Sequence, residues 1–155
     1  MSATNITIEV LSRVEAGVVL SSPTSCTEFT YLLSIGDPYD QLPEGFANLQ
    51  RKRRLLIADV VTEEGATEED VKLIIELAES LRLETGKVLI HCEAGVSRST
   101  AAALIMYACW FGPGREQEAM ERVLAQRPIA IPNRRMVQLA DKLLGREGKL
   151  VAVLR

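Results

Sequence analysis

Residues 87–111, KVLIHCEAGVSRSTAAALIMYACWF, read as a strand, a loop and a helix in immediate succession. Lys87 to His91 is short and apolar, as a strand buried on both faces should be. From Ser99 to Phe111 the chain is apolar almost all round, which puts a helix in the interior. Gly112-Pro113-Gly114 then stops it. The joint, Cys92 to Arg98, gathers a cysteine, a glycine, a serine and an arginine, with the chain's single histidine just before it.

Outward from this unit, strands and helices alternate. Thr67 and Asp70 have the spacing of a capping pair, and Val71, Ile74, Ile75, Ala78 and Leu81 follow at helical period up to Gly86. Upstream, Leu55 to Val61 (LLIADVV) and Tyr31 to Ile35 (YLLSI) read as strands, the second closed by Gly36-Asp37-Pro38. Residues 6–10 (ITIEV) and 17–20 (GVVL) read as short strands, and 37–50 as a loop. Downstream, two amphipathic helices, 115–126 and 134–144, are joined by RPIAIPN. The pattern predicts an α/β layer fold on a largely parallel sheet.

With 155 residues, 47% of them hydrophobic and 25% charged, the chain reads as one globular domain able to bury a real core. A net charge of −3 argues against nucleic-acid binding. MSATNITIEVLSR lacks the basic and apolar blocks of a signal peptide, and Ala101 to Phe111 is too short to span a bilayer. Cys26, Cys92 and Cys109 form no disulfide framework, and one histidine is too few for a usual zinc site. The expectation is a cytoplasmic protein, with no membrane partner, as a monomer or weak homo-oligomer. Cys109 is expected in the core and Cys26 at the surface or a strand edge.

A loop that enters a helix N-terminus presents unpaired N–H groups and the positive end of the helix dipole. Cys92 to Arg98 has the length to wrap such amides around a phosphate-sized anion, with Gly95 supplying dihedral freedom. Arg98 adds a planar fork that matches two oxygens of the anion. The same field favours a thiolate at Cys92. Ser99 is placed to hydrogen-bond its sulfur, and His91 to orient the loop through the backbone. A lone cysteine is more often structural, and Cys-x5-Arg alone is a weak pattern. The joint occurrence of His91, Cys92, Gly95, Arg98 and Ser99 between strand and helix is what gives this one weight.

HCEAGVSRST resembles the signature loop of the cysteine-dependent protein tyrosine phosphatases: His-Cys, five residues, Arg, then Ser or Thr. Its Ala-Gly-Val-Ser-Arg-Ser form is similar to the dual-specificity branch. RPIAIPNRRMVQL, YLLSIGDP and ADKLLGREGKLVAVL resemble further segments of small bacterial members, so the likeness runs from about residue 30 onward. The resemblance implies a three-layer α/β fold, with a central mostly parallel, mixed sheet flanked by helices, over a single domain 1–155. It implies Cys92 as nucleophile and phosphate binding by Glu93, Ala94, Gly95, Val96, Ser97 and Arg98. An aspartate on a separate upstream loop serves as general acid, and Asp59 at the end of LLIAD is the first choice. Glu63, Glu64 and Asp70 are its rivals. Asn133 falls where the family has an asparagine supporting the phosphate loop, and it also suits a helix N-cap.

The implied activity is hydrolysis of phosphotyrosine, or dual-specificity hydrolysis, on a phosphorylated protein or peptide, with no metal and no cofactor. The chain shows no aromatic-flanked phosphotyrosine-recognition loop, and no lysine between Cys92 and Arg98 of the kind phosphoinositide phosphatases carry. Arg51 to Arg54 (RKRR) reads as a solvated face or a dock for an acidic phosphoprotein. Two other functions use a related loop: a rhodanese-like sulfurtransferase and a non-catalytic phosphopeptide-binding module.

Overall fold

In a computed structural model, residues 5–155 are described; residues 1–4, part of the stretch read for a signal peptide, lie outside it. Four strands form one sheet: β1 (Ile6–Leu11), β2 (Phe29–Gly36), β3 (Lys52–Leu56) and β4 (Gly86–His91), in the order β1-β4-β2-β3. All three pairings are parallel, so the described sheet has none of the antiparallel pairing that a mixed sheet implies. Helices α1 (Arg13–Ser21) and α2 (Pro23–Cys26) cover one face. Helices α3 (Glu68–Leu81), α4 (Arg98–Phe111), α5 (Glu116–Gln126) and α6 (Arg134–Leu144) cover the other.

The two faces follow from strand alternation. Leu33, Ile35, Val88 and Ile90 point into the larger core, where they meet α3 to α6. Phe29, Leu32 and Leu89 point the other way, onto Ala16, Leu20 and Cys26. Helix α4 lies inside the larger layer, and every residue from Arg98 to Trp110 is buried. That is the environment an all-round apolar helix requires. On the outer strand β1, the Tyr107 hydroxyl accepts from the Ile8 N–H and the Gln126 side chain from the Val10 N–H. These bonds occupy backbone groups that an edge strand otherwise leaves open.

Some expectations change. Residues 17–20 are helical, within α1, because Ser12 and Glu15 form a capping box at its start. The strand expected at 55–61 lies instead at 52–56, and the chain leaves the sheet at Ile57. Arg51 to Arg54 is in part the solvated face expected, with Arg51 and Arg53 exposed and Lys52 and Arg54 half-buried. Its last three residues are in β3, while Arg51 is paired with Glu84 at 2.6 Å. Cys26 is buried in the smaller core, not at the surface. Residues 146–155 pack against the body: Arg146 and Leu150 are buried, and the Asp141 carboxylate accepts from the N–H groups of Gly148, Leu150 and Val151. Among the described residues no helix is long and apolar enough to cross a membrane.

Candidate active site

The site forms at the C-terminal edge of the parallel sheet, where β4 hands over to α4, the usual binding edge of such sheets. Every carbonyl from Cys92 to Ser97 is bonded outward. Cys92 O meets His91 Nδ1 at 2.9 Å, and Glu93 O accepts from the Arg13 N–H at 3.0 Å. Ala94 O and Gly95 O accept from the Arg127 guanidinium at 3.2 and 3.0 Å. Val96 O accepts from the Ile131 N–H, and Ser97 O from the Asn133 N–H. By contrast, no backbone N–H from Glu93 to Arg98 meets an acceptor among the described residues. A loop with its carbonyls held outside and its amides free is a concave anion nest.

Gly95 makes the wrap feasible. Its φ is +70°, and a Cβ there would lie 2.8 Å from the Leu11 carbonyl carbon and 2.6 Å from Arg127 Nη2. Any side chain would push the loop off β1 and lose the arginine that ties down two of its carbonyls.

Cys92 lies at the floor, 2% exposed, with Ser99 Oγ 3.0 Å from its sulfur. Arg98 is the first residue of α4 and is also buried. Its Nη1 donates to Ile57 O at 2.8 Å and lies 3.6 Å from Asp37 Oδ1 and 3.9 Å from Asp40 Oδ2. Its Nε is buried without an acceptor, the one such side-chain polar atom among the described residues. An unmet buried donor of this kind calls for a ligand.

Asp59 stands on the loop after β3 and reaches the same loop. Its Oδ1 accepts from Ser97 Oγ at 2.8 Å and from Asn133 Nδ2 at 3.2 Å, while Oδ2 takes no donor. Asn133 makes the contacts that both readings of it call for. Its Oδ1 caps α6 by accepting from the Met136 N–H, and its backbone N–H holds Ser97 O. Its amide also ties Asp59 and the Val60 carbonyl, which the sequence did not foreshadow. Asp70 is committed to the α3 cap with Thr67, and Glu63 and Glu64 are exposed.

His91 is buried between Ser34 Oγ, 2.6 Å from Nε2, and the Cys92 carbonyl. Burial pushes its pKa below the ordinary value, against the bond to Cys92 O that raises it, and keeps the ring neutral. Burial pushes the Cys109 thiol the opposite way, up to about 11, as befits an inert core cysteine.

The structure thus brings together Cys92, Arg98, Ser99, Asp59, His91, Asn133 and the loop 93–97. Sequence reasoning missed Asp37, Asp40, Arg13 and Arg127. Asp37 lay hidden in a turn signal, and Arg127 opens the quoted RPIAIPN segment without a role. Among the described residues, no three His, Cys, Asp or Glu side chains sit where they would hold a metal ion.

No protein-family model matches the chain. Dual specificity protein phosphatase 15 of Mus musculus is 33% identical over 106 residues, covering 68% of this chain and 42% of the relative. Dual specificity protein phosphatase 5 of Rattus norvegicus is 41% identical over 59 residues, covering 38% of this chain and 15% of the relative. The chain therefore spans less than half the length of these relatives. Among solved structures, human DUSP28 superposes with a TM-score of 0.66 at 19% identity over 94% of both chains. DUSP15 does so at 0.65 and 24% identity, over 94% of this chain and 85% of its own. Tk-PTP in its active form does so at 0.64 and 20% identity, over 94% of both chains. At these identities the structural likeness concerns the fold.

Proposed function

The chain belongs to the cysteine-dependent protein tyrosine phosphatase superfamily, on its dual-specificity-like branch, and from that premise we propose that it hydrolyses phosphomonoesters of protein phosphotyrosine, with dual specificity within its range. The observation that carries this reading is the loop Cys92–Arg98: outward carbonyls, free amides, and a cysteine beneath them. The Arg98 Nε donor without an acceptor adds to it.

The proposed reaction has two displacements. The Cys92 thiolate attacks phosphorus, the S–P bond forms and the ester P–O bond breaks. The amides of Glu93–Arg98 and the Arg98 fork hold the equatorial oxygens, so catalysis is mostly positioning and electrostatics. Asp59, anchored through Oδ1, gives the proton on Oδ2 to the leaving oxygen. Water then attacks phosphorus and passes its proton to the Asp59 carboxylate. The S–P bond breaks, and the Ser99 hydroxyl stabilises the departing thiolate. Each step uses a group of this chain, so no metal or cofactor enters the proposal. The reading takes 1–155 as one catalytic domain and a phosphorylated protein or peptide as its partner. Three free thiols, one of them the proposed nucleophile, support a reducing, cytoplasmic setting.

The test is hydrolysis of an aryl phosphate and a phosphotyrosine peptide in EDTA, by the wild type and Cys92→Ser. Metal-free turnover in the wild type that the variant lacks, with phosphate binding retained, supports the reading. An inactive wild type with a confirmed free thiol overturns it and shifts attention to phosphopeptide binding and sulfur transfer.

A further inference from the structure

Arg54 closes the RKRR run, yet its side chain turns toward the site. We propose that Arg54 is a positioning residue for Cys92, fixing the direction of a buried hydrogen-bond chain through Ser34 and His91 that ends on the Cys92 carbonyl. The proposal rests on Cys92 being the nucleophile.

The chain of bonds is a ladder across three strands. Arg54 of β3 is the register partner of Ser34 in β2, and Ser34 is the register partner of His91 in β4. Arg54 Nη1 donates to Ser34 Oγ at 2.8 Å. Ser34 Oγ lies 2.6 Å from His91 Nε2, and His91 Nδ1 lies 2.9 Å from Cys92 O. Ser34 and His91 are shut off from solvent, at 0% and 1% exposure, so water cannot substitute for a misdirected bond.

Both ends of the ladder are fixed by chemistry. A guanidinium only donates, so Ser34 Oγ accepts from Arg54, and the buried hydroxyl's own proton has His91 Nε2 as its one acceptor among the described residues. A carbonyl only accepts, so Cys92 O needs a proton on Nδ1. A neutral imidazole has one N–H, and both demands are met only with that hydrogen on Nδ1. Without Arg54, the serine hydroxyl is free to accept from Nε2–H instead. The Cys92 carbonyl would then face a bare nitrogen lone pair, and the first of the outward-bonded carbonyls of the loop would be released.

The fold reserves space for this arginine. Gly36 is two residues beyond Ser34 on the same strand, and a Cβ there would come within 2.5 Å of Arg54 Nη2 and 3.0 Å of its Cζ. Arg54 also reaches Asp40 O at 3.5 Å, on the segment whose carboxylates flank Arg98. The charged groups that bear on His91 are Arg54, Arg13 and Glu93. Those that bear on Arg54 are Asp40, Arg98 and Glu93.

The chain's single histidine makes the test direct, because every imidazole 15N signal belongs to His91. Multiple-bond 1H–15N correlation on histidine-labelled protein distinguishes Nδ1–H from Nε2–H. The wild type and Arg54→Lys, which keeps a donor-only cation, are expected to show Nδ1–H. Arg54→Met is expected to show Nε2–H or a mixture. Gly36→Ala, which displaces the guanidinium without removing it, is expected to do the same and decides the matter if Arg54→Met does not fold. In both, iodoacetamide alkylation of Cys92 near neutral pH should slow about 3–10-fold as the thiolate loses its aligned surroundings. An unchanged Nδ1–H tautomer and alkylation rate in the folded variants overturn the proposal. Neither readout requires turnover, so a wild type inactive on every phosphate ester would sink the phosphatase reading separately.

Discussion

Ser97 Oγ donates to Asp59 Oδ1 at 2.8 Å, so the loop that surrounds Cys92 also holds the segment carrying Asp59 against it. Ser97 is the residue before α4, yet its side chain caps none of the helix's N–H groups. Its hydroxyl is spent on Asp59, which leaves those N–H groups open to an anion.

That bond sets a leaving-group prediction. General acid catalysis contributes about 10²- to 10⁴-fold, and it matters most when the leaving oxygen is basic. Asp59→Ala should lower kcat by that order on a phosphotyrosine peptide and far less on a fluorinated aryl phosphate, whose phenolate leaves unaided. Ser97→Ala should show a smaller loss with the same dependence, since it frees Asp59 without removing it. Equal losses on both substrates would take the acid role away from Asp59.

In the proposed reaction Ser99 bears on the second displacement rather than the first. A hydrogen bond to a charged group is worth about 1.5–3 kcal/mol. Losing it where Cys92 departs as thiolate should slow phosphoenzyme hydrolysis about 10- to 100-fold. Ser99→Ala should therefore release a burst of aryl product, stoichiometric with enzyme, followed by slow turnover. Stopped-flow product formation reads this directly, and a slow linear trace with no burst would place the loss in the first step.

His91 makes stability depend on pH. Its folded pKa lies below the ordinary 6.5 because burial disfavours the charged ring. Between that lowered value and 6.5 the unfolded chain binds more protons, so stability rises with pH through the window and falls on acidification. Denaturant titrations from about pH 7.5 to about pH 5.5 should show the midpoint dropping as the ring's ordinary range is crossed. With no second histidine in the chain, His91→Gln should flatten the profile. A wild-type profile that is level across the window would show that the ring protonates in place.

Local signals carried much of the fold, and cross-strand signals were hidden. The capping box at Thr67 and Asp70 is where its spacing put it. The strand, loop and helix of 87–111 follow from an apolar run, a flexible glycine and an all-apolar helix. The GVVL stretch misled because valine favours strands, yet Ser12 and Glu15 already spelled a helix start. In KRRLL the long charged side chains masked a strand, although basic residues are common on sheet edges. Asp37, Asp40 and Arg54 meet Arg98 and Ser34 across strands that are distant in sequence. No spacing rule encodes that juxtaposition, because register is set by packing.

Asn133 makes two different sets of contacts at one position. Its Oδ1 caps α6, while its amide nitrogen holds Asp59 and the Val60 carbonyl. Asn133→Ala loses both and should cost about 0.5–2 kcal/mol through the cap alone. Asn133→Asp keeps the cap acceptor, so most of that stability should remain. It also replaces a donor with a carboxylate facing Asp59 and the Val60 carbonyl, so like charge and lost bonds should drive the acid loop away. Thermal unfolding should place both variants below wild type, Asn133→Ala through the lost cap and Asn133→Asp through the buried like charge, while kcat on the phosphotyrosine peptide falls in both. If Asn133→Asp keeps full activity, the amide bonds to the acid loop are packing contacts and Ser97 alone holds Asp59.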